Sequence, residues 1–363
     1  MSTRLSELRR QMSDAAVDGV LMFPSPNWRY VMNFAPIANE RLCVLIVTHD
    51  RVAVVLPVFD VEEMQASSQD VLTFGWSDLD GPENAVGQAW QAVSGPQLRT
   101  IAVDDGMPYM FTRLLFGHTG TATAGTLSTC LPRYRLIKDE AEIAAIRRTG
   151  QLIERTLAAT AAMARAGMSE LELERLVKAD MLTNGAESLD YALVQFGPNS
   201  AIPHHVAGHD TLSPHSNVLL DIAVTYQGYF ADITRQFALG EPAQDYLAVF
   251  DVVRAAQAAG VAAAVPGATV HDVDSACRQV IADAGYGGAF FTRTGHGLGL
   301  EVHEPPSVVA GNHMTLEPGM VITVEPGVYL SGRFGVRIED TVVIRESGAE
   351  RLTASDRSLV VAD

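Results

Sequence analysis

Residues 218–232, VLLDIAVTYQGYFAD, carry the most informative pattern in the chain. Two apolar, strand-like runs flank a short Tyr-Gln-Gly turn, and each run carries one acidic residue, Asp221 and Asp232. Opposed residues of antiparallel strands share a face of the sheet, with Cβ atoms about 5 Å apart. The pattern therefore predicts a β-hairpin that offers two carboxylates to one point.

The same pattern returns further along the chain. The run VITVE, residues 321–325, leads through a glycine-rich turn to VRIE, residues 336–339. This second predicted hairpin carries Glu325 and Glu339. A carboxylate buried in an apolar run is costly unless it finds a counter-charge, a metal ion or a proton. Solvent exposure or an arginine partner would explain any one of these acids, but matching positions in two hairpins favour a metal site.

The acidic hairpins follow helical segments that also repeat. GMSELE at 167–172 and GATVHD at 267–272 each place a capping residue three positions before an acidic residue, which is typical of a helix start. Both predicted helices end near a glycine, Gly185 and Gly285. Two copies of paired helices and strands predict a domain with an internal pseudo-two-fold repeat.

A histidine on a glycine-rich segment completes the acidic set. His296 lies in TGHGLG, residues 294–299, whose GxGxG spacing differs from the GxGxxG of a dinucleotide loop. A zincin motif also fails, because no second histidine follows His303 and Glu304 at the required spacing. Four carboxylates and one imidazole suit a bridged pair of Mn²⁺, Co²⁺, Fe²⁺ or Zn²⁺ better than a cysteine-rich structural zinc site.

Length and local pattern divide the chain into two predicted domains. Its 363 residues exceed the usual size of one domain, roughly 100–200 residues. Residues 1–131 hold short alternating strands and helices, including a predicted hairpin at 44–55 and a strand at 100–103. We expect a small mixed α/β domain without a catalytic constellation, followed by a catalytic domain over 132–363 that begins with a capped helix.

Composition limits the partners and the compartment. With 26 basic and 43 acidic residues, the formal net charge is -17, which would repel the phosphate backbone of nucleic acid. No run of about 20 apolar residues predicts a membrane span, and the start of the chain lacks the apolar core of a signal peptide. Three widely spaced cysteines indicate ordinary thiols. We expect a cytoplasmic protein without a nucleic-acid or membrane partner.

Together these motifs resemble the pita-bread metallopeptidases, which include methionine aminopeptidase, aminopeptidase P and prolidase. The resemblance is closest to the Xaa-Pro branch, prolidase and aminopeptidase P, and it is strong over residues 134–355. Its signatures are FGPNSAIPH at 196–204, Asp221 with DITR at 232–235, GHGLGLEVHE at 295–304, EPG at 325–327 and RIED at 337–340. It implies an α+β protein with a creatinase-like N-terminal domain and a pita-bread C-terminal domain.

The resemblance also implies a ligand set for two divalent metal ions. The ligands would be Asp221, Asp232, His296, Glu325 and Glu339. Asp232 and Glu339 would bridge the ions, with Asp221 on one ion and His296 and Glu325 on the other. Mn²⁺ is the expected metal, with Co²⁺, Zn²⁺ and Fe²⁺ as alternatives. A metal-bridging hydroxide would attack the peptide carbonyl, with Glu325 as its general acid and base.

Other residues would surround the reacting bond. His204 and His303 resemble the histidines that position the substrate and stabilise the tetrahedral intermediate, and counting back from Asp221 favours His204 over its neighbour His205. Arg337 would support the ligands by hydrogen bonds. Tyr329 fits the Glu-Pro-Gly-x-Tyr pattern of the family, although a plain core aromatic is the alternative interpretation.

Two departures from the family pattern bear on specificity. The Xaa-Pro enzymes usually carry another histidine four residues before the metal-binding one, and here that position is Thr292. The usual Tyr-Leu-Thr-Gly-Phe of the first domain appears as YVMNF at 30–34. Because that domain often contributes to dimerisation, a homodimer is expected, with this contact altered.

The favoured activity is hydrolysis of Xaa-Pro dipeptides by a metal-dependent dipeptidase, with a small peptide as substrate. An aminopeptidase that takes longer peptides with proline second is the nearest alternative. Thr292 keeps open a metal-dependent hydrolase of another small amide. A catalytically silent binding module of the same fold is also an alternative, but the presence of all five metal-ligand positions argues against it.

Overall fold

Two units make up the chain in the computed structural model, Met1–Arg135 and Leu136–Asp363. The structure describes residues 3–67, 70–94, 97–118 and 122–362. Each unit has its own hydrophobic cores: two lie within the first unit and two within the second.

The first unit is a six-stranded mixed sheet with helices around it, in the strand order β4-β3-β2-β1-β5-β6. Its elements are α1 Thr3–Asp14, β1 Gly19–Met22, α2 Pro26–Met32, β2 Val44–Thr48, β3 Val52–Pro57, α3 Val61–Ser67, β4 Leu72–Trp76, α4 Glu83–Ala92, β5 Thr100–Val103, α5 Tyr109–Phe116, β6 Thr123–Thr126 and α6 Leu127–Cys130. The predicted hairpin is confirmed as the antiparallel pair β2 and β3, and the predicted strand at 100–103 is β5.

The apolar strands of this sheet are buried on both faces. Val44 and Ile46 of β2 belong to one core, whereas Leu45 and Val47 of the same strand belong to the other. Successive strand residues point to opposite faces, so an unbroken apolar run packs against both layers. The mixed α/β character predicted for this part of the chain is confirmed.

The second unit contains paired helices packed on two sheets and a two-stranded ribbon. Its elements are α7 Glu140–Met163, α8 Glu170–Thr183, β7 Ser188–Phe196, β8 Ser216–Tyr226, β9 Tyr229–Leu239, α9 Gln244–Ala263, α10 Val270–Asp283, β10 Gly295–Gly297, β11 Glu304–Val308, β12 Val321–Val324, β13 Gly327–Leu330, β14 Phe334–Arg337, β15 Asp340–Arg345, β16 Gly348–Arg351 and β17 Val360–Ala362. The sheets have the orders β17-β9-β8-β7 and β11-β10-β12-β15-β16, and β13 pairs with β14.

The internal repeat is visible in the helix starts. Ser169 caps α8 and forms a capping box with Glu172, and Thr269 forms the equivalent box with Asp272 at α10. Gly167 and Gly267 precede the two caps with φ of 84° and 87°, a left-handed conformation that favours glycine. Matching helix starts, each followed by strands, confirm the predicted repeat.

The first acidic hairpin forms as predicted. In β8 and β9, Asp221 is opposite Thr234, and Asp232 is opposite Ala223. The two aspartates are therefore diagonal neighbours on one face of the hairpin, which agrees with the prediction that it offers two carboxylates to one point. The second hairpin is interrupted, because the ribbon β13–β14 is inserted between β12 and β15. Of its predicted second strand, VRIE, Val336 and Arg337 pair within this ribbon instead of with β12, and the last two residues lie between β14 and β15.

Helix α9 is unusually apolar for its length. Among the described helices it is the one that is long and apolar enough to cross a membrane. Its Val249, Phe250 and Val253 pack into a core of the second unit. Burial of an apolar stripe is typical of a core helix, so the composition is explained by packing.

Candidate metal centre

The structure brings the five predicted ligands together from both halves of the second unit. They lie on β8, β9 and β10, directly after β12 and directly before β15: Asp221, Asp232, His296, Glu325 and Glu339. Ligand atoms of Asp232, His296 and Glu339 all lie within 4.8 Å of one another. The Nε2 atom of His296 is 3.2 Å from Glu325 Oε1 and 3.8 Å from Asp232 Oδ2.

Glycines let the histidine strand approach its neighbours. A Cβ atom on Gly295 would lie 2.1 Å from the backbone oxygen of Thr323, and one on Gly297 would lie 2.1 Å from that of Pro305. Any side chain at these positions would force strand β10 away from β11 and β12. The backbone N–H of His296 also donates to Thr323 Oγ1 at 3.0 Å, and its ring Nδ1 lies 3.0 Å from the backbone oxygen of Gly297, which orients the ring with Nε2 toward the acidic cluster.

One oxygen of each principal carboxylate is held by the protein. Arg337 donates to Asp221 Oδ2 at 2.5 Å, and Tyr191 donates to Asp232 Oδ2 at 2.5 Å. Thr234 donates to Glu339 Oε2 at 2.7 Å. These bonds orient the carboxylates before any ligand arrives. Arg337 additionally donates to Tyr329 at 2.9 Å and to Thr234 at 3.1 Å, as expected for a residue that supports the ligands. Arg235 pairs with Asp340 instead, at 2.6 Å.

The second oxygen of each of these three carboxylates has no hydrogen-bond donor in the described structure. Asp221 Oδ1, Asp232 Oδ1 and Glu339 Oε1 are buried and have no hydrogen-bond partner among the described residues. Asp232 and Glu339 are each only 1% exposed. Buried anionic oxygens without donors are costly, and divalent cations are their natural counter-charge. The residues present therefore fit a site for metal ions.

The electrostatics of the cluster agree with this interpretation. Burial, reinforced by the neighbouring carboxylates, raises the pKa of Asp232 and the pKa of Glu339 well above their ordinary values. Burial alone would also raise the pKa of Glu325, but its hydrogen bond to His296 and the charge of that ring lower it overall. Four clustered carboxylates without enough cations repel one another, which bound metal would relieve.

A cleft of about 510 Å³ opens onto the cluster. The predicted substrate-contacting residues all line it: His204, His303, Thr292, Tyr329 and Arg337. His204 and His303 are exposed, and the ring of His303 stands edge-on to that of His296 at 4.4 Å. The neighbour His205 turns away, with Nε2 2.9 Å from Glu170. The structure thus places His204 at the cleft, as the sequence favoured.

Several residues of the site were missed by sequence reasoning. Thr234 follows Asp232 by two positions, so the strand period of two was a signal that it shares the acidic face. Tyr191 reaches Asp232 from another strand, and no local pattern identifies it. Arg293 and Asp190 also line the cleft, and neither makes an ion pair or hydrogen bond within the described part of the chain.

Comparisons with known proteins identify the family of each part of the chain. Residues 144–346 match the model of metallopeptidase family M24, and residues 4–137 match the creatinase/prolidase N-terminal domain. A probable dipeptidase PepE of Mycobacterium bovis is 34% identical over 99% of this chain and 96% of its own length. An Xaa-Pro dipeptidase of Pyrococcus horikoshii is 30% identical over 99% of both chains.

A solved structure extends the likeness to three dimensions. The crystal structure of dipeptidase PepE from Mycobacterium ulcerans superposes with a TM-score of 0.92 at 33% identity, covering 99% of this chain and 96% of that one. The predicted family, the predicted fold class and the prediction of a metal-dependent peptidase are confirmed. The chain belongs to metallopeptidase family M24 and carries a creatinase/prolidase N-terminal domain ahead of its peptidase domain.

Proposed function

We propose that the chain hydrolyses Xaa-Pro dipeptides with the help of two divalent cations. The observation that carries the proposal is the set of three buried carboxylate oxygens, one each on Asp221, Asp232 and Glu339, that have no donor in the described structure. Relatives along the full length include an Xaa-Pro dipeptidase, which supports the same substrate class. Mn²⁺ is the expected metal, with Co²⁺, Zn²⁺ and Fe²⁺ as alternatives.

The ligands divide between two cations. Asp232 and Glu339 would contribute to both, Asp221 to one, and His296 with Glu325 to the other. When bound, the cations would polarise the scissile carbonyl and lower the pKa of a shared water, so that hydroxide is available near neutral pH. A dinuclear site fits the count of donors, because four carboxylates carry too much negative charge for a single divalent ion.

The side chains around the cluster then handle protons and charge. Glu325 borders the cleft, so it would be placed to take a proton from the attacking water and pass it to the leaving nitrogen. His204 and His303 face the same cleft from different halves of the unit. Their ring N–H groups would donate to the oxygen that gains negative charge.

The charge of Arg293 favours a dipeptide over a longer peptide. The guanidinium lines the cleft three residues before His296 and forms no ion pair with a described side chain, although it lies near enough to Glu325 to help lower the pKa of that carboxyl. In an Xaa-Pro dipeptide the terminal carboxylate belongs to the proline itself, one residue from the scissile bond. Arginine suits such a group because its planar fork donates two parallel hydrogen bonds. A longer peptide would place a neutral amide there.

A second candidate is the hydrolysis of another small amide. The observation that favours it is Thr292, whose buried hydroxyl makes no hydrogen bond of good geometry to a described residue. This hydroxyl would be available to a polar group of a substrate other than the proline ring. An aminopeptidase acting on longer peptides is the remaining alternative, and the charge of Arg293 counts against it.

The test is hydrolysis by metal-stripped protein that has been reloaded with Mn²⁺, using Leu-Pro, Leu-Pro-Ala and Leu-Ala. We expect turnover of Leu-Pro that chelation abolishes and reloading restores. Preferential cleavage of Leu-Pro-Ala would favour the aminopeptidase. Two bound metals without turnover of any peptide would contradict the proline assignment and favour the other amide. A homodimer and a cytoplasmic location stay predictions, to be checked by solution mass and fractionation.

A further inference from the structure

A buried carboxylate outside the candidate metal centre accepts several hydrogen bonds from the segment that carries His204. Glu170, the first residue of α8, is fully buried. Its two oxygens accept from four groups, all on residues 196–208: Phe196 N at 2.8 Å, Asn199 Nδ2 at 3.0 Å, His205 Nε2 at 2.9 Å and Gly208 N at 3.1 Å. His204 lies between the second and third of these attachment points.

All the hydrogen bonds of this carboxylate go to residues outside its own helix. The N-terminus of α8 is capped by Ser169 together with Glu172, so Glu170 is not needed as a cap. The backbone N–H groups of residues 170 and 171 also bond to this part of the chain, to Asp210 O at 3.1 Å and Gly208 O at 3.0 Å. Both carboxylate oxygens are saturated by protein donors, so the arrangement is complete without an added ion.

The segment is clamped from the other side as well. Gln195 is fully buried, and its Nε2 donates to the backbone oxygens of Ile202, Pro203 and His205 at 3.2–3.3 Å. Because His205 is bonded through both its ring and its backbone oxygen, the backbone on either side of it is held in place. This fixes the point on the cleft from which the side chain of His204 extends.

The other half of the unit shows that Glu170 is not required by the repeat. The position equivalent to Glu170 is Val270, which is buried and apolar. There the cleft histidine, His303, is followed directly by a buried glutamate, Glu304, which pairs with Lys138 at 3.0 Å. Helix starts of the same design thus occur with and without a buried carboxylate. The carboxylate of Glu170 therefore serves the segment that it binds.

We propose that Glu170 is a positioning residue that holds His204 in place for the reaction. The inference rests on the proposed role of His204, and Glu170 itself does not touch the substrate. Loss of the carboxylate releases His205 and Gly208 and lets the exposed imidazole of His204 sample other directions. An oxyanion donor that is misplaced by an ångström loses much of its effect, since catalysis depends on preorganised geometry.

The test is a double-mutant cycle on kcat for Leu-Pro with Mn²⁺-loaded enzyme. We expect His204→Ala to lower kcat by roughly 100-fold, as removal of an oxyanion donor does. Glu170→Ala should lower kcat by about 10-fold or more in the wild-type background but by less than about 3-fold in the His204→Ala background, because residues that act through one another are not additive. Metal content should stay unchanged in all variants.

Two further variants separate positioning from stability. Val270→Ala truncates the matching buried side chain of the other half and should lower the melting temperature without changing kcat. Glu170→Gln keeps an acceptor for Phe196 and Asn199 but not for the other two donors, so it gives a folded variant if Glu170→Ala fails to fold. Its kcat should fall in the wild-type background alone.

The outcomes are distinguishable. Equal losses from the Glu170 variants in both backgrounds, or no loss in either, would overturn the positioning role while leaving the proposed function intact. Full activity of His204→Ala would instead refute the proposed role of that histidine, and this inference would fall with it. Absence of Leu-Pro turnover in the wild type would refute the proposed function before the cycle begins.

Discussion

The two halves of the second unit have matching helix starts, but the strands that follow them differ. Both begin with a glycine, a capped helix and an isolated bridge from the cap, Ser169 to Thr211 in the first half and Thr269 to Thr315 in the second. The first half then continues into long regular strands of 11 residues each, β8 and β9. The second half breaks its hairpin with an inserted ribbon, and its acids lie at the breaks.

This difference shows how a symmetric fold produces an asymmetric site. The first half contributes the two aspartates on one face of a continuous hairpin, whereas the second contributes two longer glutamates and the histidine. Regular strands place short side chains accurately, and the longer glutamate side chains can reach the centre from the ends of strands. The two proposed metal positions therefore have different ligand sets despite the repeat.

The largest effect should come from removing one of the two acids, one in each half, that we propose to bridge the cations. Asp232→Ala and Glu339→Ala should each lose bound metal and lower kcat/KM by about 1000-fold or more, because the cations provide several kcal/mol of transition-state stabilisation. Metal content by elemental analysis and turnover of Leu-Pro measure this. The control is Asp190→Asn, because Asp190 lines the cleft but lies outside the cluster. This variant should keep the metal content of the wild type. Retention of both metals by either alanine variant would contradict equal dependence on the two halves.

The cleft itself offers a comparison of charge between the halves. Asp190 lies at the irregularity between Leu189 and Tyr191 in β7, and Arg293 precedes β10 in the second half. Arg293→Met should raise KM for Leu-Pro by roughly 10- to 100-fold, the range for a lost hydrogen bond to a charged group. Leu-Pro amide, which lacks the carboxylate, should be unaffected by the substitution.

The control for Arg293 is Asp190, the charged cleft residue that the first half contributes. Asp190→Asn should leave the preference for Leu-Pro over its amide unchanged, since a carboxylate cannot recognise another carboxylate. The interpretation of Arg293 would be refuted if Arg293→Met reduced activity on both compounds by the same factor.

Much of this asymmetry was readable in the sequence, and the rest was not. The ligands stood out because Asp221 and Glu325 interrupt apolar runs, and the repeat stood out because capping signals are local. The register of β8 and β9 was left open by the sequence because turn geometry, not composition, decides which residues are opposed. Tyr191 and Glu170 were missed because their partners, Asp232 and His205, lie 41 and 35 residues away, and only tertiary packing brings them together.

Without metal, the buried acids Asp232 and Glu339, one in each half, should make the stability of the fold depend on pH. The folded-state pKa values of Asp232 and Glu339 are raised by burial, so the fold favours their protonated forms. The contribution of these two acids to the free energy of unfolding is present at low pH, and it is lost as the pH rises through the raised pKa values. The melting temperature of chelated protein should therefore fall from pH 5 to pH 8.

Matched variants attribute this pH dependence to the two acids. Asp232→Asn and Glu339→Gln should each flatten the fall, because a neutral side chain has no charge to bury. Loading with Mn²⁺ should abolish or reverse it, since the ionised forms then bind the cations. A fall of the same size in all three proteins would show that other groups cause it.

The smallest effect tests the shared part of the scaffold. The hydroxyl groups of Ser169 and Thr269 each accept from the backbone N–H of the acidic residue three positions on, at 3.2 Å in both cases. The backbone N–H groups of the two capping residues donate to the carboxylates of the same acidic residues at 2.7 Å. Because the bonds match, Ser169→Ala and Thr269→Ala should each lower the free energy of unfolding by about 1 kcal/mol, measured by urea denaturation of metal-loaded protein. Neither should change kcat, since each helix keeps its remaining contacts. A loss of kcat in Ser169→Ala alone would show that the start of α8, unlike that of α10, transmits its geometry to the cleft through Glu170.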